Sequence, residues 1–182
     1  MKKILGICGE PSTGKTTLMR CIMNMLHSDI TWLAGKYRTL EYMYNGNIVV
    51  LGMYRGETFD GTDRLSMAVI EDAEQFLKTQ PYLAEWILFE GDRLFCARWI
   101  KACIDSGADC KFVQLSFSPA EFNRRYAQRM YNRTAQSAAF IKSRRTKYQN
   151  LRQSFPFIEL RRNDNSTDQS ALILECMSWL QK

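Results

Sequence analysis

The sequence predicts a three-layer α/β fold: a parallel central sheet, helices on both faces and a helical, basic lid. Three observations predict it. Short apolar runs alternate with amphipathic stretches along the chain. A glycine loop joins the first run directly to the first helix, and basic residues concentrate late in the sequence. At 182 residues and 46% hydrophobic, the chain fits one globular domain, residues 1–182, with the lid at about 119–153.

Ile4–Cys8 reads as a buried strand and Lys15–Leu26 as a helix, with Leu18, Cys21, Ile22, Met25 and Leu26 on its apolar face. Thr39–Tyr44 and Asn47–Met53 are expected to form a hairpin around Asn45-Gly46. A polar loop, Arg55–Asp63, precedes a helix at Leu65–Leu77. Trp86–Phe89 is a continuous apolar run ending in Glu90-Gly91-Asp92, as when a buried parallel strand carries carboxylates to its C-terminal edge. A helix at Leu94–Ile104 and a strand at Lys111–Phe117 follow. Ser118-Pro119-Ala120-Glu121 is a capping box with proline in the first turn, so a helix starts there, with Phe122, Tyr126 and Met130 on its apolar side. A basic helix at Gln136–Gln153, a strand at Phe157–Leu160 and a helix at Ala171–Leu180 complete the reading.

Composition excludes several chemistries. No segment approaches the roughly 20 apolar residues of a membrane span, and the basic N-terminus lacks the apolar length and cleavage site of a signal peptide, so a cytoplasmic location is expected. The six cysteines contain no Cys-x-x-Cys pair, which disfavours a zinc site or disulfide framework. The single histidine, His27, sits at the end of the first predicted helix, a poor basis for a Ser/His/Asp or Cys/His site. Chemistry must come from carboxylates, lysine, arginine and a metal. The net charge of +6 is uneven: Pro119–Arg162 holds eleven Lys/Arg against Glu121 and Glu159, while the rest is slightly acidic. Such a segment suits a polyanionic partner, although most charge runs are solvated helix faces.

Gly9-Glu10-Pro11-Ser12-Thr13-Gly14-Lys15-Thr16 matches G-x-x-x-x-G-K-[ST], with a strand before and a helix after. Glycines let successive N–H groups turn toward phosphates, and the helix N-terminus adds partial positive charge. Lys15 is expected at the β/γ-phosphates of ATP and Thr16 on Mg²⁺, with Gly9, Ser12, Thr13, Gly14 and Thr17 completing the nucleotide contacts. The architecture is thereby expected to be that of P-loop NTPases. Glu90, at the end of its apolar run, is the candidate second acid for the metal, with Asp92 two residues on; a solvent-facing strand end is the plain alternative. Asp63 is either the base that takes the acceptor proton or the N-cap of the next helix, and Asp60 is its reserve. Arg64 is a candidate contact to an anionic substrate. Arg125, Arg129 and Arg133 recur at helical spacing and, with Arg144, Arg145 and Lys147, suit a lid that neutralises the moving phosphoryl group; Arg125 and Arg129 are the leading candidates.

The phosphate loop, the Glu90 strand, the arginine helices and the terminal strand followed by Asn163 together resemble the nucleoside monophosphate kinase-like group of P-loop kinases. The resemblance implies that Arg162–Asn165 packs near the adenine. More narrowly, Gly9–Thr17, Asp60–Ser66, Phe89–Phe95 and Arg145–Tyr148 are similar to blocks of phage-associated kinases that include 5-hydroxymethyluracil DNA kinases. This likeness implies a phage or prophage origin, hence host cytoplasm, and a modified pyrimidine in DNA as phosphate acceptor, with Asp60, Arg64, Asp92 and Arg93 near the substrate. Tyr42, Tyr44, Tyr54 and Phe59 are available to stack on a base, although strand aromatics more often belong to the core. A kinase of free nucleotides or other small metabolites is the rival expectation. A P-loop ATPase or switch comes third, since Asn-Lys-x-Asp is absent and a motor needs more chain.

Overall fold

The computed structural model describes residues 2–26, 31–55, 60–79, 84–132 and 136–182. His27, Phe59 and Arg133 lie outside the described residues. The elements are β1 (Lys3–Gly9), α1 (Lys15–Leu26), β2 (Leu33–Tyr37), β3 (Leu40–Asn45), β4 (Ile48–Leu51), a 3₁₀ turn (Thr62–Arg64), α2 (Val69–Thr79) and β5 (Trp86–Glu90). Then come α3 (Ala97–Asp105), β6 (Asp109–Ser116), α4 (Pro119–Tyr131), α5 (Ala138–Ser154), β7 (Glu159–Arg162) and α6 (Ser166–Leu180).

Seven strands form one sheet in the order β2-β3-β4-β5-β1-β6-β7. Five of them, β4 to β7, run parallel around β1, and β2 and β3 add an antiparallel ribbon at one edge. β1 is buried along its whole length and pairs with both β5 and β6, which are far away in sequence. The chain therefore reverses its direction of winding at β1, and the crevice at the C-terminal ends of these strands is where such sheets bind ligands.

Alternation along β1 separates two cores. Ile4 and Cys8 face Phe89, Phe112, Trp99 and Tyr148, on the side of α2, α3 and α5. Leu5 and Ile7 face Leu18, Ile22, Leu115 and Cys176, on the side of α1 and α6. All six cysteines are free, and Cys8, Cys103 and Cys176 are buried as small apolar groups. No described helix is long and apolar enough to cross a membrane.

Several local expectations shift. The hairpin turn is Gly46-Asn47, because Asn45 pairs with Ile48, one residue beyond the Asn45-Gly46 turn expected. The buried face of α1 is Leu18, Met19, Ile22 and Met23, whereas Met25 is 53% exposed. Strand β2 was not expected: its exposed, glycine-containing sequence carries no alternation, and it exists by pairing with β3. Helix α2 begins at Val69, so Asp63 lies in the 3₁₀ turn and cannot be the α2 N-cap. Only half of the expected capping box forms. Ser118 Oγ accepts from Glu121 N–H at 3.3 Å, but Ser118 N–H donates to Asp164 and the Glu121 carboxylate is taken by Arg124 and Arg125. Those two guanidiniums hold the Glu121 carboxyl down at about 2.

The lid differs physically from the body. Helix α4 buries no residue fully, and α5 buries only Ile141, Tyr148 and Leu151. Little apolar area holds these helices down, so their placement depends on polar contacts made at the phosphate loop and the end of β5.

Candidate active site

The phosphate loop crosses between β1 and α1 with a left-handed backbone at Ser12 (φ 71°) and Gly14 (φ 87°). At Gly14 a Cβ would come within 2.6 Å of Asn163 Nδ2, so both conformation and space demand glycine. Lys15 arches back over the loop, its Nζ donating to Gly9 O at 3.1 Å and Glu10 O at 3.2 Å. An ammonium bonded only to carbonyls at the loop mouth is ready for anionic oxygens.

The loop is braced from outside. Asn163, buried after β7, donates from Nδ2 to Thr13 O at 2.7 Å. Arg125 donates to Ser12 O at 2.8 Å, Asn163 O at 2.8 Å and Asp164 O at 3.2 Å. Thr13 Oγ1 turns inward to Glu10 O at 2.8 Å, and the Glu10 carboxylate accepts two bonds of 2.9 Å from Arg145. Arg125 thus clamps the loop to the segment after β7 and does not line the cavity beyond the loop. Thr17 is exposed one position further along α1.

Glu90 ends β5 in register with Ile7 of β1, which sets it beside the start of α1. It is 1% exposed, and its Oε1 accepts from Thr16 Oγ1 at 2.9 Å. Its Oε2 is buried with no partner. Burial, offset only in part by the Lys15 ammonium, raises the carboxyl to about 7. The backbone of Gly61 (φ 70°) lies against this group: a Cβ there would stand 2.2 Å from Oε1. An orphaned carboxylate oxygen beside a threonine hydroxyl fits Mg²⁺, which takes one or two protein oxygens and fills its shell with water and phosphate.

The remaining acids separate by partner. Asp60 is buried, paired with Arg20 of α1, and accepts from Arg55 N–H at 3.2 Å. Asp63 Oδ1 accepts from Asp92 N–H at 2.7 Å, which ties the 3₁₀ turn to the end of β5. Asp92 is the anchor of the lid. Its carboxylate takes Arg144, Lys147 Nζ at 2.7 Å and the Tyr148 hydroxyl at 3.0 Å. Burial pushes the Tyr148 hydroxyl well up, so it stays a donor.

These groups surround a cavity of about 250 Å³ between loop, acids and lid. Ser12, Lys15 and Thr16 form one wall, and Asp60, Asp63, Asp92 and Arg93 a second. Arg129, Gln136, Phe140, Arg144 and Tyr148 close it from the lid. Desolvation lowers the Arg129 guanidinium, so an anion arriving there would be favoured. Arg64 does not line the cavity and lies 3.9 Å from Glu41. Tyr42 and Tyr44 pack against the core, Tyr42 with its ring 5.1 Å from Phe76. The Tyr54 hydroxyl is buried near Gly61.

Arg20, Gln136 and Phe140 were not expected at the site. Residues 140, 144 and 148 recur every four positions within α5, a one-face spacing that carries Phe140 to the side of Arg144 and Tyr148, whereas Gln136 precedes the α5 N-cap, Ser137, and no helical spacing marks it.

A family model described as P-loop Nucleotide Kinase3 matches residues 1–162. A search of curated proteins finds no match. The match covers the sheet, the phosphate loop, Glu90 and both lid helices, and it implies ATP-dependent phosphoryl transfer. On its sequence match and its seven-stranded, mostly parallel fold, the chain belongs to the P-loop nucleotide kinase 3 family.

Proposed function

We propose that the protein transfers the γ-phosphate of ATP to the hydroxymethyl group of 5-hydroxymethyluracil in DNA. The observation that carries the reading is the cavity itself: Lys15 and Thr16 on one wall face Asp63 and the lid arginines across about 250 Å³. Choice of acceptor rests on the resemblance of Asp60–Ser66 and Phe89–Phe95 to 5-hydroxymethyluracil DNA kinases. The eleven basic residues of 119–162 suit a DNA backbone and make binding salt-dependent.

In this mechanism Lys15 and the loop N–H groups bind the β- and γ-phosphates. Thr16 and Glu90 would hold Mg²⁺, which would supply charge neutralisation at the phosphate oxygens. Asp63 orients the acceptor hydroxyl and takes its proton as the oxygen attacks the γ-phosphorus and the bond to ADP breaks. Arg129 neutralises the moving phosphoryl group. Asp60, committed to Arg20, shapes the loop that carries Asp63. Closure of α4 and α5 excludes water, so that the phosphate is not lost to hydrolysis.

The test offers γ-labelled ATP and Mg²⁺ with ordinary DNA, 5-hydroxymethyluracil DNA and free nucleotides. Label on the modified DNA alone is expected. Label on free nucleotides would replace this reading with a metabolite kinase, and label released only as phosphate would replace it with an ATPase.

A further inference from the structure

Three residues that line the active-site cavity carry a buried polar atom without a partner, Gln136 Oε1, Arg93 Nε and Arg144 Nε, and Glu90 Oε2, on the carboxylate bonded to Thr16, is a fourth such atom. Glu90 Oε2 belongs to the proposed metal site. The other three call for a ligand that brings one hydrogen-bond donor and two acceptors, because a guanidinium N–H only donates and the Gln136 oxygen only accepts. A phosphate supplies acceptors alone at neutral pH and leaves Gln136 unsatisfied. The Watson–Crick edge of a uracil-type ring supplies the full set: O2, N3–H and O4.

We propose, resting on the function above, that the cavity captures a single unpaired pyrimidine. Its Watson–Crick edge is read by Gln136, Arg93 and Arg144, and its face lies against Phe140. Phe140 is 37% exposed and carries the Arg144 guanidinium 4.7 Å over its ring, a platform on which a flat base stacks. The C5 substituent adjoins O4, so with Arg93, on the wall of Asp63, at O4 and the lid residues Gln136 and Arg144 at N3–H and O2, the hydroxymethyl group lies on the side of Asp63. A cavity of about 250 Å³ holds one base and a phosphoryl group, not a base pair. A paired base has this edge occupied, so the acceptor must leave the duplex before transfer. Gln136 is the specificity-determining residue. Its backbone is held independently, its carbonyl accepting from the Tyr126 hydroxyl at 3.2 Å, so truncating the side chain leaves that anchor in place.

The experiment measures kcat/KM on oligonucleotides carrying one 5-hydroxymethyluracil: single-stranded, opposite an abasic site, paired with adenine, and N3-methylated in the single strand. Wild type is expected to favour the unpaired forms by about tenfold or more and to lose about 10- to 100-fold on N3-methylation. Gln136→Ala should lose a similar factor on the unmethylated base and nothing further on the methylated one, while Gln136→Glu, which keeps an acceptor, should retain the discrimination. Equal rates on paired and unpaired forms, or an N3-methyl base used as well as its parent, would overturn the proposal while leaving the proposed function standing. The methylation arm uses wild-type protein and decides the matter even if a variant does not fold. A wild type that labels 5-hydroxymethyluracil in none of these strands refutes the proposed function and this inference with it.

Discussion

Glu90→Gln separates the electrostatic part of the site from its shape. The side chain is 1% exposed, and burial raises its carboxyl from an ordinary 4.5 to about 7. Because the folded-state value is the higher one, the sign follows directly. Below pH 4.5 both folded and unfolded chains are protonated, and nothing is lost. As the pH climbs toward 7 the unfolded chain ionises more readily, and the ion-free fold loses about 3 kcal/mol, a loss complete above pH 7. Glutamine keeps an oxygen for the Thr16 hydroxyl but cannot ionise. Urea unfolding in chelator from pH 5 to 8 should therefore show the wild-type midpoint falling relative to Glu90→Gln by about 1–2 M. Parallel curves for the two proteins would refute the reasoning, because they would mean that the carboxyl carries no burial penalty. The same titration predicts the metal dependence. Apparent Mg²⁺ affinity of the wild type should strengthen with pH and level off above about 7, whereas the variant should be flat with pH and at least about tenfold weaker.

Asp63→Asn should lower transfer by about 10²-fold or more with little change in ATP affinity, since an asparagine oxygen can still accept from Asp92 N–H; labelled-phosphate transfer beside calorimetric ATP binding checks this. Asp60→Asn should act differently, weakening the bond to Arg20 and costing about 1–3 kcal/mol in denaturant unfolding before it affects the chemistry. Asp92→Ala releases Arg144, Lys147 and Tyr148 together, and hydrogen exchange should show α5 losing protection while α1 and β1 keep theirs. Gly14→Ala places a Cβ 2.6 Å from Asn163 Nδ2 at a φ of 87°, and ATP affinity should fall at least about tenfold. Adding Asn163→Ala removes the clash but not the backbone strain, so calorimetry on the double variant should recover only part of the loss.

Period and punctuation made the strands, the phosphate loop and the basic helices legible, because they are local. Ile4–Cys8 followed by Gly9–Thr16 is a strand, a turn and a helix within one short segment, and only one backbone path satisfies its glycines. The run Trp86–Phe89 likewise placed Glu90 at a strand end. Strand β2 was not legible, because an exposed edge strand owes its existence to its neighbour β3. Helix α2 starts four residues later than the spacing of Leu65 suggests, because Leu65 follows the 3₁₀ turn in extended backbone and is buried in the core there.

The sequence by itself determined that a nucleotide phosphate loop exists, which strand precedes it and where the basic residues concentrate. Only the tertiary structure decided which partner each acid meets. Asp60 and Asp63 are three residues apart and both line the cavity, yet one is paired with Arg20 of α1 and the other is bonded to Asp92 N–H. Arg125 and Arg129 share one helix, yet one clamps Ser12 and Asn163 while the other lines the cavity. The physical reason is that a charged side chain's role is set by the partners and the dielectric it meets, and those come from other elements, 29 residues away for Asp63 and Asp92, 40 for Arg20 and Asp60 and 113 for Arg125 and Ser12.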